Sequence, residues 1–244
     1  MKDSVLILGG HSDIGIAVAH RFAAAGHPIA LAARNVAKLE GARTDIALRH
    51  SVEVTLHDYD ALDTSVLADF VNGFDPAPGV VISAVGMMGD QATSEHNPEA
   101  AALVMRTNFE APAQTLELFA ARMEARGRGT LVGISSVAGD RGRASNYVYG
   151  SAKAGFTTYL SGLRNRLSRS KIHVVTVKPG FVATRMTEGM NLSPALTASP
   201  EAVAEAIFRA VERQRNIVYV KPIWWAVMYV IRALPEPVFR RTRL

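Results

Sequence analysis

The sequence contains no cysteine among its 244 residues. Disulfide bonds, thiolate nucleophiles and zinc–thiolate centres are therefore excluded, and no other metal site is expected. Aromatic residues are few, at 7%, and the longest strongly apolar run, Pro222–Leu234, is interrupted by Arg232. That run is shorter than the roughly 20 residues of a membrane-spanning helix. The first ten residues have no extended signal-peptide core. We therefore expect a soluble, cytoplasmic protein.

The net charge of +5 is concentrated at one end of the chain. The last 24 residues have a single acidic residue, Glu236, and these basic residues: Lys221, Arg232, Arg240, Arg241 and Arg243. The first 220 residues hold 22 basic and 21 acidic residues, so a nucleic-acid partner is not expected. An apolar helix with paired tryptophans and flanking arginines can lie in a bilayer interface. Peripheral contact with the inner membrane face and packing against a second subunit both remain open.

Short aliphatic runs alternate with longer helical patterns, which is typical of parallel βαβ units. The pattern predicts an α/β fold, a doubly wound parallel sheet of about seven strands in a single domain. The predicted strands are Val5–Leu8, Ile29–Ala33, Val52–Leu56, Val80–Ala84, Thr130–Ile134, His173–Val177 and Ile217–Val220. Residues 1–221 should form this domain, and residues 222–244 an apolar, basic C-terminal extension with a helix.

Several helix boundaries also follow from local signals. Asn35 is expected to cap a helix that continues to about Arg49, and Ser199 to cap another helix. A long helical pattern spans 98–126 with Pro112 inside it, which predicts a kink there. A further long helix is expected over Tyr147–Ser168.

A glycine-rich turn joins the first strand to a helix expected from about Ile14 to Ala25. Such a turn lets the backbone approach a pyrophosphate closely, at a helix N-terminus that favours negative charge. The candidate cofactor-binding residues of the turn are Gly9, Ser12, Asp13, Ile14 and Gly15. Arg34, at the end of the second strand, would suit the 2′-phosphate of NADP. A merely tight turn and a solvated arginine are the alternative interpretations.

Tyr149 and Lys153 lie four residues apart on one predicted helix face. A nearby ammonium is expected to lower the pKa of the tyrosine, which makes Tyr149 a candidate general acid–base for a carbonyl or alcohol. Ser136, just beyond the fifth strand, could hydrogen-bond the same substrate oxygen.

Together these ordered motifs resemble the short-chain dehydrogenase/reductase family over nearly the whole chain. The resemblance implies an NAD(P)-dependent oxidoreductase with a Rossmann fold, usually as a homo-oligomer, acting on a small molecule. It adds Asn108 to the catalytic set of Ser136, Tyr149 and Lys153. It implies cofactor contacts from Asp58, Gly86, Tyr149, Lys153, Pro179, Gly180, Val182 and Thr184. The chain departs from the family in having Asp13 at a glycine position and Ala84-Val85-Gly86 in place of Asn-Ala-Gly.

Several segments also resemble the reductase component of decaprenylphosphoryl-ribose epimerases, a subgroup of this family. These segments are 9–15, 58–63, 135–146 and 227–232. The likeness implies a keto-sugar carried on a lipid phosphate. Arg141 and Arg143 would then be candidates to bind the substrate phosphate, and Arg185 lies in the segment that the family uses as a substrate lid. A generic soluble ketoreductase and a non-catalytic nucleotide-binding regulator are the alternatives.

Overall fold

A parallel sheet of seven strands forms the centre of the molecule, for which a computed structural model describes residues 2–242. Its strands are β1 Val5–Leu8, β2 Ile29–Ala33, β3 Val54–Asp58, β4 Val80–Ser83, β5 Gly129–Ile134, β6 Ile172–Pro179 and β9 Ile217–Val220. Two short strands, β7 Phe181–Val182 and β8 Thr197–Ala198, pair separately. The spatial order is β3-β2-β1-β4-β5-β6-β9. The chain therefore changes direction across the sheet between β1 and β4, where such folds place their ligand crevice.

Helices cover both faces of the sheet. They are α1 Asp13–Ala24, α2 Glu40–His50, α3 Leu67–Asn72, α4 Gln91–His96, α5 Pro98–Met105, α6 Ala111–Arg126, α7 Tyr147–Arg166, α8 Pro200–Glu212, α9 Ile223–Ala233 and α10 Glu236–Phe239. Alternate residues of β1 face opposite sides, as the pleat requires. Val5 and Ile7 join the core under α1 and α8, whereas Leu6 and Leu8 join the core under α6 and α7. The predicted doubly wound fold is confirmed.

The helix after β2 begins differently from the prediction. Asn35 has a left-handed backbone (φ 56°) and makes no capping bond, and a short 3-10 turn over Val36–Leu39 precedes α2. Asn35 is therefore not a helix cap. Ser199 does cap α8, accepting a hydrogen bond from the Ala202 amide at 3.2 Å.

The predicted kink in the long helical pattern over 98–126 takes the form of a π-helical turn. This turn spans Arg106–Glu110 and separates α5 from α6. Pro112 lies in the first turn of α6 and has no N–H to donate to the carbonyl of Asn108, four residues earlier. The wider turn accommodates that missing bond, and it carries the buried side chain of Asn108. Wider turns of this kind occur frequently at functional sites.

Helix α7 lies unusually close to the segment that follows β5. A Cβ atom on Gly139 would lie 2.7 Å from the Ala154 amide, and one on Gly150 would lie 2.8 Å from the Ala138 carbonyl oxygen. Only glycine permits so close an approach of backbone to backbone. These two glycines therefore set the distance between α7 and the end of β5.

The C-terminal helix α9 packs onto the same end of the molecule. Trp224, Met228 and Ile231 are buried against Val137 and Phe181, and the Trp224 indole donates to the Leu196 carbonyl at 2.9 Å. None of the helices within residues 2–242 is long and apolar enough to cross a membrane. Arg243, counted above among the basic residues of the tail, lies outside the described residues.

Two alanine substitutions in α7 test the close approach. Gly162 is exposed with open space around it, so Gly162→Ala should stabilise the helix by about 0.5–1 kcal/mol and raise Tm by about 1–3 °C. Gly150→Ala gains the same helical preference but must displace the Ala138 carbonyl, and should lower Tm by about 5 °C or more. Thermal unfolding of both variants measures the difference. A Gly150→Ala protein as stable as Gly162→Ala would contradict the packing described.

Candidate active site

A cleft of about 580 Å³ opens at the carboxyl ends of β1, β2 and β4. Its wall contains these residues predicted to bind a cofactor: Gly9, Ser12, Asp13, Ile14, Arg34, Gly86 and Thr184. Arg185, predicted as a substrate residue, also lines it. The glycine turn, the end of the second strand and the lid segment are thus brought to one cavity.

The backbone of the glycine turn is held in one conformation. Gly9 has φ +88°, and a Cβ there would lie 2.8 Å from the Ala84 carbonyl oxygen, so no other residue fits. The Ser12 hydroxyl donates to the Gly9 carbonyl and accepts from the Gly15 amide, both at 2.9 Å. The N-terminus of α1, with its positive dipole end, is therefore presented to the cleft.

Other residues predicted from the family resemblance lie elsewhere. Gly15 is buried beneath the turn, where a Cβ would lie 2.7 Å from the Ser12 hydroxyl oxygen. Asp58 is exposed at the end of β3 and lies outside the cleft wall, whereas the two residues after it, Tyr59 and Asp60, line it. The signal that could have identified Asp60 is its position just beyond the carboxyl end of β3, which ends at Asp58.

The segment after β6 is partly covered by the C-terminal helix. A Cβ on Gly180 would overlap the Trp224 indole, so Gly180 is needed for this packing. Pro179, Gly180 and Val182 do not line the cleft in this structure. These residues lie on a side of the molecule that α9 helps to form. The spacing of the sequence motifs did not indicate that α9 packs there.

Asn108 holds the loop after β4 in place. Its side-chain amide donates to the carbonyls of Met87 at 2.6 Å and Val104 at 2.8 Å, and its oxygen accepts from the Met87 amide at 3.2 Å. A Cβ on Gly86 would lie 3.0 Å from that oxygen. The neighbouring Thr107, which sequence reasoning missed, lines the cleft, and its hydroxyl has no hydrogen-bond partner among the described residues.

The two serines after β5 have different partners. The Ser135 hydroxyl points to α7, with the Lys153 carbonyl at 2.9 Å and the Thr157 hydroxyl at 2.7 Å. The Ser136 hydroxyl accepts from the Ala138 amide at 3.1 Å and donates to the Pro179 carbonyl at 3.4 Å, and it lies close enough to the Tyr149 phenol to affect the pKa of that phenol. Ser136 is therefore the serine beside the tyrosine, and Ser135 fastens the strand end to the helix.

The electrostatics of Tyr149 differ from the expectation. Burial raises its pKa to about 12, and the neighbouring Ser136 hydroxyl acts in the opposite direction without cancelling that effect. The predicted lowering of this pKa by Lys153 is wrong for this structure. The Lys153 Nζ lies 5.7 Å from the centre of the Tyr149 ring and donates to the Ile134 carbonyl at 3.0 Å. Burial lowers the pKa of Lys153 itself to about 7.

The three arginines predicted for the substrate are not gathered at one point. Arg141 donates to the carbonyls of Ile231 and Leu234, both at 2.6 Å, and to the Glu236 carboxylate at 2.9 Å. Its guanidinium also lies 3.7 Å from the centre of the Phe239 ring. Arg141 therefore fixes the end of α9 and is not a phosphate-binding residue here.

The other two arginines have separate surroundings. Arg143 is half-buried in the loop before α7, and its Nε finds no hydrogen-bond partner among residues 2–242. Arg185 reaches across the cleft mouth to the glycine turn, where it pairs with Asp13 at 2.9 Å.

Comparison with known proteins agrees with this geometry. A family profile described as short chain dehydrogenase matches residues 3–194. An uncharacterized oxidoreductase of Mycobacterium tuberculosis is 39% identical, with 97% of this chain and 96% of the relative covered. Another, from Streptomyces coelicolor, is 36% identical, with 98% and 95% covered.

Solved structures share the fold. A short-chain dehydrogenase from Sphingobium yanoikuyae in complex with NADPH superimposes with a TM-score of 0.82 at 24% identity, covering 96% of this chain and 97% of that one. A short chain dehydrogenase/reductase from Burkholderia phymatum in complex with NAD gives 0.83 at 18% identity, covering 100% and 97%.

The buried ammonium of Lys153 should make stability depend on pH. Its pKa is about 7 in the folded protein and near 10.5 in the unfolded chain, so the unfolded chain binds more protons between these values. This contribution to stability is present above pH 10.5 and is lost as the pH falls towards 7. Lys153→Met should remove this pH dependence of the free energy of unfolding, which is roughly 1 kcal/mol per pH unit between the two pKa values.

Urea unfolding of both proteins at pH 7.5 and 9.5 measures this effect. The wild type should gain about 2 kcal/mol relative to Lys153→Met between the two pH values. Lys171→Met, at an exposed lysine, is the matched control and should parallel the wild type. Equal pH dependence in the wild type and Lys153→Met would contradict the burial of a charged Lys153.

Proposed function

Because the chain belongs to the short-chain dehydrogenase family of NAD(P)-dependent oxidoreductases, we propose that it reduces a carbonyl group, with Tyr149 as the proton donor. The observation that carries the proposal is the position of the buried Tyr149 phenol near the Ser136 hydroxyl, with Lys153 on the next turn of α7. A phenol whose pKa is about 12 is protonated at neutral pH. Tyr149 is therefore in the state that a reduction requires of its acid.

The residues of the cleft fit a dinucleotide. The positive φ of Gly9 gives the turn its tight shape, the N-terminus of α1 faces the cleft, and the Thr107 hydroxyl has no hydrogen-bond partner within residues 2–242. The bound nicotinamide would supply the hydride. The turn at Gly9 and Ser12 would hold the diphosphate, and Thr184 would contact the cofactor from the lid side.

The protein's own residues have the remaining roles in the proposed reduction. Tyr149 would donate its proton to the substrate oxygen, and Ser136 would hydrogen-bond that oxygen as negative charge develops on it. A protonated Lys153 would stabilise the phenolate left behind and hold the cofactor ribose. Asn108 acts through the loop at Met87, to which it makes two hydrogen bonds, and is a positioning residue.

We assign a preference for NADP on the basis of Arg34. It follows β2, is exposed, and lines the cleft. A guanidinium at this point matches a 2′-phosphate, whereas an acidic residue would match the free ribose hydroxyls of NAD.

For the substrate we propose a keto-sugar linked to a lipid phosphate, with a soluble ketone as the alternative. Arg141 is committed to α9, so Arg143 is the remaining candidate for the substrate phosphate from that loop. Its guanidinium is half-buried and its Nε is unpaired among the described residues. Burial lowers its pKa, and an anionic partner would offset that unfavourable burial.

The outer face of α9 supports a lipid partner. Trp225, Tyr229 and Val230 are 58%, 66% and 60% exposed, and the two aromatic rings stack with centres 5.7 Å apart. Arg232, Arg240 and Arg241 are exposed in the same C-terminal region of the chain. Aromatic rings with neighbouring arginines suit the headgroup region of an anionic bilayer, and we propose peripheral membrane contact there.

A set of three variants tests the catalytic assignment. Tyr149→Phe should reduce turnover by about 10²–10⁴-fold and leave NADPH binding, measured by fluorescence titration, within about twofold. Ser136→Ala should lower kcat by roughly 10²-fold and should also lower Tm through its lost bond from the Ala138 amide. Ser135→Ala, the matched control, should lower Tm through its lost bonds to α7 and retain most activity.

The assay should measure NADPH and NADH oxidation with simple ketones and a polyprenylphosphoryl keto-pentose. A lower KM for NADPH supports the role of Arg34, and a preference for the lipid-linked sugar supports the finer substrate. Undiminished turnover in Tyr149→Phe would refute the mechanism. Failure of the wild type with every carbonyl would favour a nucleotide-binding regulator.

The membrane proposal predicts a specific loss of vesicle binding. Trp225→Glu/Tyr229→Glu should reduce flotation with anionic vesicles at least fivefold, because both rings are exposed and both substitutions add negative charge. Leu48→Glu, at an equally exposed apolar residue on α2, is the matched control and should float like the wild type. Unchanged flotation of the double variant, together with a change in oligomeric state, would assign this face to a second subunit.

A further inference from the structure

Two residues that are 172 positions apart in the sequence meet at the mouth of the cleft. The Arg185 backbone amide donates to one oxygen of the Asp13 carboxylate at 2.8 Å, and its guanidinium Nε donates to the other at 2.9 Å. The same guanidinium also donates to the His11 carbonyl. Arg185 is thereby bonded to both the side chain and the backbone of the glycine turn.

The location of Asp13 makes this pairing more than a surface ion pair. Asp13 is the first residue of α1 and lines the cleft directly beside Gly9 and Ser12. A carboxylate is favourable at a helix N-terminus, but here it faces the region where a second anion is to be held. Two like charges within a few ångströms oppose each other unless a cation lies between or beside them.

Arg185 is held in position to supply that cation. It begins a 3-10 turn over Arg185–Thr187, in which the Thr187 hydroxyl accepts from the Thr184 amide at 3.2 Å and donates to the Val182 carbonyl at 2.6 Å. These bonds fix the start of the lid to the short strand β7. The guanidinium therefore projects from an ordered support.

We propose that Asp13 and Arg185 form a charge-compensating latch at the diphosphate subsite. Arg185 neutralises the one carboxylate of the glycine turn, which allows a dinucleotide diphosphate to bind beside it, and fastens the lid across the cleft. The proposal rests on the proposed function, because it takes the ligand of the cleft to be a dinucleotide. It identifies Asp13 and Arg185 as a specificity-determining pair for diphosphate binding.

The direction in which each substitution changes diphosphate binding follows from the charges. Arg185→Met leaves the Asp13 carboxylate uncompensated and should weaken diphosphate binding. Asp13→Asn removes the opposing charge, keeps a side-chain acceptor for the Arg185 amide and releases the guanidinium to the ligand. The double variant has neither charge and should return towards the wild type.

The test is a double-substitution cycle with ADP as the probe, measured by calorimetry at low salt. Arg185→Met should weaken ADP binding about tenfold or more, Asp13→Asn should tighten it about threefold, and Asp13→Asn/Arg185→Met should lie within threefold of the wild type. The affinity for adenosine, which lacks the diphosphate, should change less than twofold in every variant when it is measured by NMR titration. Arg213→Met, at an exposed arginine in the cap of α8, is the charge-matched control.

A second measurement does not depend on any ligand. Hydrogen exchange of residues 185–192 in the ligand-free protein should be faster in Asp13→Asn and in Arg185→Met, and the same as the wild type in Arg213→Met. Unchanged exchange in both latch variants would overturn the latch. Equal weakening of ADP binding by both single variants would overturn charge compensation. If the wild-type protein does not bind ADP, although hydrogen exchange of the lid changes as expected in the variants, the proposed function and the diphosphate role are refuted. The contact between Asp13 and the lid is then still established.

Discussion

The close approach of α7 to the end of β5 determines the rest of the catalytic arrangement. Gly139 and Gly150 leave the two backbones in direct contact, with no room for a methyl group on either. This contact fixes how far Ser136, on the strand side, lies from Tyr149 and Lys153, on the helix side. Ser135 adds two hydrogen bonds across the same contact. A hydrogen bond that must be made to a reacting oxygen needs such accuracy, and packing of backbone against backbone provides it better than flexible side chains would.

The segment that carries Ser136 is also the one to which the C-terminal region is attached. Asp140, immediately after that segment, forms a buried ion pair with Lys178 at 2.5 Å and accepts from the Tyr219 phenol at 2.8 Å. The next residue, Arg141, binds the carbonyls at the end of α9. One short loop thus joins β5, β6, β9 and α9. A disturbance of α9 by a lipid surface or a second subunit therefore has a physical route to Ser136.

The strands could be predicted because most are short, buried aliphatic runs, and their observed limits fall within two residues of the prediction. Catalytic candidates could be predicted because their spacing is local: Tyr149 and Lys153 share one helix face. What could not be predicted depends on contacts between distant segments. The covering of Gly180 by Trp224, the binding of α9 by Arg141 and the pairing of Asp13 with Arg185 have no local pattern. The pKa of Tyr149 was mistaken for the same reason, because burial is a property of the assembled fold.

The two buried ionisable groups would stabilise each other in the proposed reduction. Burial keeps the Tyr149 phenol protonated and makes a protonated Lys153 unfavourable. Charging either group therefore costs free energy. When a carbonyl oxygen takes the phenol proton, a negative charge appears close to Lys153, and protonation of the lysine then becomes favourable. The energy that the fold loses by burying an ammonium is thus partly recovered when the phenolate forms. Groups that are unfavourable in the resting protein and stabilise each other during reaction are typical of catalytic centres. The same reasoning applies to the latch that we propose at the cleft mouth, where Arg185 lies beside the Asp13 carboxylate.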